Sequence, residues 1–274
     1  EGADPANGAI YPPKILEWDP RGRIWYFNAS RKLVRRTPAL KHFKTFLEEH
    51  TDMGHIVRQE AVSMLPPLLL DVCADHKVLD MCAAPGSKTT QLLEDLVYTH
   101  GARSGNSKGV VVANDASYHR ACLLSHRVRA MHNPCSMIVS HFGEDLPFPD
   151  GFFDRVLCDV PCSGDGTIRK SPNMKWRSAR SVPLHCVQVK LCLHSLRLLK
   201  VGGLMTYSTC SMNPIEDEAV IAEVMRRCGD TVEVVNADAN LPGVTRRPGV
   251  ATWRVQDVDH PAKWMDRFEE VPEA

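Results

Sequence analysis

Two cysteines stand where packing does not call for sulfur. Cys162 lies in Asp159-Val160-Pro161-Cys162-Ser163-Gly164-Asp165-Gly166, and Cys210 lies in Ser208-Thr209-Cys210-Ser211. Both stretches have the Gly, Ser and Pro content of loops. Cys158, set among Val156, Leu157 and Val160, reads instead as a packed thiol. A thiolate serves as nucleophile or metal ligand. The ten cysteines form no C-x-x-C pair and no Cys/His run of zinc-finger type, so no metal is expected. No secretory signal accompanies them, so they are read as free thiols, mostly buried. That leaves nucleophilic chemistry for Cys162 and Cys210.

A second group of residues suits a nucleoside. Cys82-Ala83-Ala84-Pro85-Gly86-Ser87-Lys88 is a turn of small residues that lets a ligand approach the backbone, and the helix after it can receive a carboxylate. The turn is not G-x-G-x-x-G, and Ser87 stands where a P-loop needs Gly, so neither dinucleotide nor triphosphate binding is indicated. Asp115 ends a second apolar run and is placed to take a ribose diol. The Gly101–Lys108 loop accounts for its added distance from the turn.

Thiols beside such an acid point to attack on a pyrimidine. Carbon 5 of cytosine is too weak a nucleophile to take a methyl group unaided. A thiolate adding to carbon 6 makes it enamine-like. An acid near ring nitrogen 3 stabilises the adduct. A bound sulfonium then supplies the methyl, and a base removes the carbon 5 proton. Thiol activation is only partly legible. Asn213, Pro214 and Glu216 read as N-cap, N1 and N3 of a helix whose N-terminus would lower a thiol pKa, whereas Glu216, Asp217 and Glu218 oppose that effect.

These residues need a scaffold, and the periodicity supplies one. Short extended segments are expected at Ile24–Phe27 and at Leu33–Val34, then helices at 38–50 and 57–71, the latter interrupted by Pro66 and Pro67. Strands follow at 77–81, 110–113, 137–139, 156–158 and 204–207. Helices are expected at 88–97, 117–131, 183–199 and 214–227, with a last extended run at Val232–Val235. Alternation of this kind predicts an α/β fold with a mostly parallel sheet covered on both faces. Residues 240–274 read as irregular.

The 274 residues are 43% apolar and 24% charged, which excludes wholesale disorder, and no apolar run reaches the roughly 18 residues of a membrane span. The acidic, polar Glu1–Ile10 reads as neither signal nor transit peptide. The net charge is zero, yet it is segregated. Residues 20–47 carry eight Lys/Arg and no acid (Arg21, Arg23, Arg31, Lys32, Arg35, Arg36, Lys41, Lys44). Residues 166–215 repeat that count with Arg169, Lys170, Lys175, Arg177, Arg180, Lys190, Arg197 and Lys200. Such stretches suit phosphate neutralisation or a solvated surface balanced by nearby acids. Trp25, Tyr26, Phe27 and Trp176 lie among them, as stacking platforms or as core.

At Asp80–Thr90, Asp159–Thr167 and Ser208–Glu218 the chain resembles the Nop/Sun (NSUN) family of S-adenosylmethionine-dependent RNA cytosine-5 methyltransferases, over roughly residues 10–235. Asn28–Arg36 and Arg58–Leu70 resemble its tRNA-methylating (Trm-four/NSUN-two) branch. The resemblance implies a Rossmann-like class I methyltransferase fold with a small N-terminal layer. It further implies Cys210 as nucleophile, Cys162 as the residue assisting product release, and Asp159 as the acid holding the ring near the methyl donor. Lys88 joins the catalytic set. Cys82, Ala83, Ala84, Pro85, Gly86, Ser87, Lys88, Asp115 and Asp159 would bind S-adenosylmethionine. In DNA cytosine-5 methyltransferases the Cys of the Pro-Cys motif attacks, which would give that role to Cys162.

The implied partner is tRNA, with no membrane, for a monomer placed in the nucleus, nucleolus or cytoplasm. The expected division is 1–72 accessory, 73–239 methyltransferase and 240–274 tail. A catalytically silent RNA-binding scaffold on the same fold is the alternative. Two departures from the family stand out. Phe142 follows His141 where relatives place an adenine-binding Asp, with Glu144 and Asp145 just beyond. No Gly-Phe-Phe-type final strand is found, so a trimmed chain is expected.

Overall fold

The computed structural model describes residues 11–19, 21–29, 31–97, 108–168, 181–257, 260 and 263–266. Five parallel strands form the centre: β3 (Lys77–Asp80), β4 (Val110–Asn114), β5 (Ser136–Val139), β6 (Phe153–Asp159) and β7 (Leu199–Ser208). Among the described residues four short strands lie outside this sheet, and two of them, β1 (Lys14–Ile15) and β2 (Trp25–Tyr26), make an antiparallel pair before it. Spatial order in the main sheet is β5-β4-β3-β6-β7. The chain builds outward from β3 on one side, then returns to start the other side at β6. That reversal opens a crevice at the carboxyl ends of β3 and β6, where open α/β sheets bind ligands.

The pleat explains the apolar runs. Val78, Val111, Ala113 and Leu157 point into one core, with Leu92, Leu93 and Leu96 of α4 (Ser87–Val97) and Leu124 and Val128 of α5 (Tyr118–Arg129). Leu79, Val112, Val156 and Cys158 point into the opposite core, with Leu191 and Leu198 of α6 (Ser181–Leu198). Each fully buried leucine of α4 contributes roughly 1.5–3 kcal/mol. The helix α7 (Glu218–Cys228) packs Val220 and Val224 against Val189 and Cys192 of α6.

Several local expectations are corrected. Leu33 and Val34 lie in a helix, α1 (Arg31–Arg36), not an extended segment, and Arg35 and Arg36 in its last turn suit the negative end of its dipole. The expected 38–50 helix is a 3-10 turn, Pro38–Leu40, followed by α2 (Lys41–Asp52). Over 57–71 a 3-10 turn at Ala61–Met64 runs into one helical turn, α3 (Leu65–Leu68), whose first turn holds the prolines. Val232–Val235 is not a strand: it joins no ladder and exposes Val234 and Val235. Strand propensity without a pairing partner does not make a strand. The 240–274 stretch is not wholly irregular, since β8 (Val255–Gln256) and β9 (Trp264–Met265) pair antiparallel. All ten cysteines are free, but only Cys158 and Cys192 are buried, fewer than expected.

Candidate active site

Four predicted residues converge on the carboxyl edge of the sheet. Asp159 ends β6, and its carboxylate receives Lys88 Nζ at 2.6 Å and Ser208 Oγ at 2.6 Å. Lys88 comes from the first turn of α4 and Ser208 from the end of β7, so this acid ties three elements together. Beyond β6 and β7 the two loops bring Cys162 Sγ within 3.2 Å of Cys210 Sγ, and Cys210 N–H donates to Cys162 Sγ at 3.3 Å. Gly166 permits the approach: its N–H donates to the Cys210 carbonyl at 3.0 Å, and a Cβ there would sit 2.7 Å from that oxygen.

The two thiols are electrically unequal. The hydrogen bond from Cys162 lowers the Cys210 thiol to about 7, against opposing burial and the Asp159 charge, with Lys88 assisting. The same bond, with burial, pushes the Cys162 thiol up. Burial pushes Cys158 up to about 12, confirming it as a packed thiol outside the chemistry.

The predicted helix start after Cys210 is corrected. The helix α7 begins at Glu218 with Asp217 at its N-cap, while Asn213 Oδ1 accepts the Ile215 N–H at 3.1 Å in a turn ahead of it. Glu216 is not a helix N3 acid; it is buried between the cysteine loops.

The turn 82–88 lies against Asp115. Asp115 is 2% exposed, with Oδ2 accepting the Ala84 N–H at 3.3 Å and Oδ1 accepting the Ser117 N–H at 3.0 Å. Arg120 spans the same place, 3.3 Å from Asp115 Oδ2 and donating to the Ala84 carbonyl at 2.6 Å. Gly86 is required by its backbone, since φ is +97, where L side chains are strained; a Cβ there would also sit 2.8 Å from Leu124 Cδ1. Cys82 is half-buried, with its thiol raised by burial.

Sequence reasoning missed Asp80, Asn114 and Arg120 here. Asp80 at the end of β3 is buried; Oδ2 accepts from Thr89 Oγ1 at 2.7 Å, and Oδ1 has no partner among the described residues. Burial raises Asp80 to about 7, although the Thr89 bond opposes the rise. Asn114 donates to the Met81 and His141 carbonyls, each at 3.0 Å, and accepts the His141 N–H at 2.9 Å, aligning the ends of β3, β4 and β5. The available signal was a polar residue closing the buried run Val110–Ala113. A partnerless buried carboxylate oxygen beside a second carboxylate and a small-residue turn fits a ligand carrying a cationic amine and a ribose diol. Phe142 presents a ring that is 67% exposed after β5, with Glu144 half-buried and Asp145 exposed beside it.

The basic stretches are only partly available. Arg21 and Arg23 pair with Asp95, which bonds Arg23 Nη2 at 2.5 Å, and Asp19 also bonds Arg21. Arg197 pairs with Asp150 at 3.0 Å and Lys200 with Asp154 at 2.5 Å. Arg35, Arg36 and Lys190 are exposed. Phe27 packs edge-on against Phe43 at 4.9 Å, whereas Trp25 is 60% exposed. Arg169, Lys170, Lys175, Trp176, Arg177 and Arg180 lie outside the described residues, as does most of the Gly101–Lys108 loop. Among the described residues no group of three or more His, Cys, Asp or Glu side chains is placed to hold a metal, and no helix is long and apolar enough to cross a membrane.

Sheet order, the crevice at its switch point and the acids at the strand ends define a Rossmann-like fold of the class I S-adenosylmethionine-dependent methyltransferases. A methyltransferase homologue from Pyrococcus horikoshii shares this fold, with a TM-score of 0.57 and 26% identity over 80% of this chain and 63% of that one. The chain belongs to the family described as 16S rRNA methyltransferase RsmB/F, whose model matches residues 67–250. It is 42% identical to the tRNA (cytosine(34)-C(5))-methyltransferase of Drosophila melanogaster, over 96% of this chain and 36% of that protein. It is also 42% identical to the multisite-specific tRNA:(cytosine-C(5))-methyltransferase of Saccharomyces cerevisiae, over 90% of this chain and 38% of that protein. The chain thus spans well under half the length of these curated relatives.

Proposed function

We propose that this chain carries the catalytic domain of a tRNA cytosine-5 methyltransferase using S-adenosylmethionine. The observation that carries the reading is the 3.2 Å contact between Cys162 and Cys210, one thiol lowered and the other raised, beside Asp159. Identity of 42% to the two tRNA enzymes, against 36% to the ribosomal RNA small subunit methyltransferase F of Shewanella piezotolerans, favours tRNA over rRNA.

When bound, S-adenosylmethionine supplies an electrophilic methyl on a sulfonium. Residues 82–88 and Asp115 would hold it, with Asp80 offering its unpartnered oxygen. The Cys210 thiolate adds to carbon 6 of cytosine, forming a carbon–sulfur bond and enriching carbon 5. Asp159, fixed by Lys88 and Ser208, holds the ring at nitrogen 3. After methylation a base takes the carbon 5 proton, and the carbon–sulfur bond breaks to return the thiolate. Cys162 lies 3.2 Å from that sulfur, and in this mechanism its thiol donates to the departing sulfur and so stabilises it as a leaving group. A silent scaffold would have no use for this set.

The accompanying organisation is residues 1–72 as RNA-binding accessory, 73–239 as methyltransferase domain and 240–274 as tail, in a monomer acting in nucleus, nucleolus or cytoplasm. Bisulfite sequencing of tRNA treated with the chain and S-adenosylmethionine tests the activity. Protected cytosines are expected. Their absence with a folded chain that binds S-adenosylhomocysteine overturns the reading.

A further inference from the structure

Glu216 is 0% exposed and lies between the two cysteine loops. Its Oε2 accepts the Ser163 N–H at 2.8 Å and Gln188 Nε2 at 3.2 Å. Its Oε1 accepts Ser181 Oγ at 2.9 Å and Ser211 Oγ at 3.0 Å. All four partners donate, which fills the roughly four acceptor sites of an ionised carboxylate. Ser163 adjoins Cys162, and Ser211 adjoins Cys210. Gln188 Nε2 also donates to the Pro161 carbonyl at 3.0 Å, on the other flank of Cys162. Burial would raise this acid, yet the bonds from Ser163, Ser181 and Gln188 hold it below the usual carboxylate range.

Burying a carboxylate is costly, and a small apolar residue would fill the same space without that cost. The apolar residue would not fix the spacing of two loops that the chain brings together from 48 residues apart. Directional bonds to both loops do fix it. We propose that Glu216 is a positioning residue for the two thiols, clamping the Cys162 and Cys210 loops so that one sulfur donates to the other. This rests on Cys210 being the nucleophile. Glu216 touches no reacting atom and acts only through Ser163, Ser211 and Gln188.

Iodoacetamide alkylation of Cys210, followed by peptide mass spectrometry across pH, reads the thiol contact without any methyl transfer. The wild-type chain should show a midpoint near the value of about 7. In Glu216→Ala the loops part, and the midpoint should rise by about one unit toward an ordinary thiol. The kcat should then fall about 10- to 100-fold with the KM for S-adenosylmethionine unchanged. In Glu216→Gln one oxygen still accepts Ser163 and Gln188 while the serine hydroxyls turn to accept the amide, so most of the shift should be rescued. Ser211→Ala, a milder change that leaves the carboxylate in place, should move the midpoint the same way by less. A folded Glu216→Ala with the wild-type midpoint overturns the proposal. If Glu216→Ala does not fold, an unshifted Ser211→Ala overturns it. Failure of the nucleophile reading is distinct: Cys210→Ala would then still methylate tRNA, whatever Glu216 does.

Discussion

Lys88 and Asp159 meet at 2.6 Å, joining the turn after β3 to the end of β6 across the sheet's switch point. One cation therefore serves both halves of the crevice: it fixes the acid assigned to the cytosine ring, and its charge helps lower the Cys210 thiol. Lys88→Met should reduce kcat about 100-fold while changing the affinity for S-adenosylhomocysteine only a few-fold, because the loss falls on charge stabilisation in the transition state. Steady-state kinetics beside calorimetry separate the two effects. A weakened affinity with kcat unchanged would place Lys88 in cofactor binding alone.

The acid beneath Arg120 gives a second test. Asp115 is bonded by the Ala84 and Ser117 N–H groups and covered by Arg120. Calorimetry with S-adenosylhomocysteine should show Asp115→Ala binding about 10- to 100-fold more weakly, the size of a lost hydrogen bond to a charged group. Equal affinity in the variant would remove Asp115 from the ribose site.

Asp80 links the site to stability. Burial raises its folded pKa to about 7, well above the ordinary aspartate value of about 3.9, so between those values the folded chain holds a proton that the unfolded chain has released. Stability from this group is therefore fully present below about pH 4 and declines as pH rises to about 7, by up to a few kcal/mol. Asp80→Asn should flatten that decline. Urea midpoints at pH 5 and pH 8 measure it, and an unchanged difference between the two pH values in the variant would contradict the assignment.

What the sequence revealed here followed local pattern. The five central strands were legible because apolar runs such as Val110–Ala113 are bounded by turn residues. Cys162 and Cys210 were legible as loop residues for the same reason. Leu33–Val34 was not, since two apolar residues set no period, and they turn out to be helical. Glu216 follows a possible cap by three residues and so looks like a helix-start acid. Its actual partner Ser163 lies 53 residues away, a contact that no local window contains. Arg21 and Arg23 look like part of a basic tract until folding brings Asp95 to them, more than 70 residues on.

Those ion pairs sharpen the RNA prediction. Arg35 and Arg36 are exposed in the last turn of α1, and Arg23 is held by Asp95. Reversing Arg35 and Arg36 to Glu should weaken tRNA binding and flatten its salt dependence by about 0.7–0.9 per lost phosphate contact. Arg23→Ala should instead lower thermal stability and leave the slope nearly unchanged. A slope that responds to Arg23 but not to Arg35 and Arg36 would assign the RNA surface elsewhere.

The two thiols should be separable by trapping. Cys210 carries the lowered pKa and Cys162 is its sulfur partner at 3.2 Å, so each substitution breaks a different step. Cys210→Ala removes the attacking sulfur; no covalent adduct forms and no methyl moves. Cys162→Ala leaves attack and transfer possible but removes the donor that stabilises the leaving sulfur, so the chain should remain attached to tRNA through Cys210. The same change removes the bond that lowers Cys210, and the alkaline pH needed for attack should rise toward that of an ordinary thiol, near 8.5. Trapping is therefore expected to strengthen between pH 7 and pH 9 in Cys162→Ala. A denaturing gel with labelled tRNA shows the adduct as a slow band, which the double variant should lack. A band with Cys210→Ala instead would exchange the roles, as in the DNA enzymes. No band from either single variant, with both folded, would remove the two-thiol mechanism from this chain.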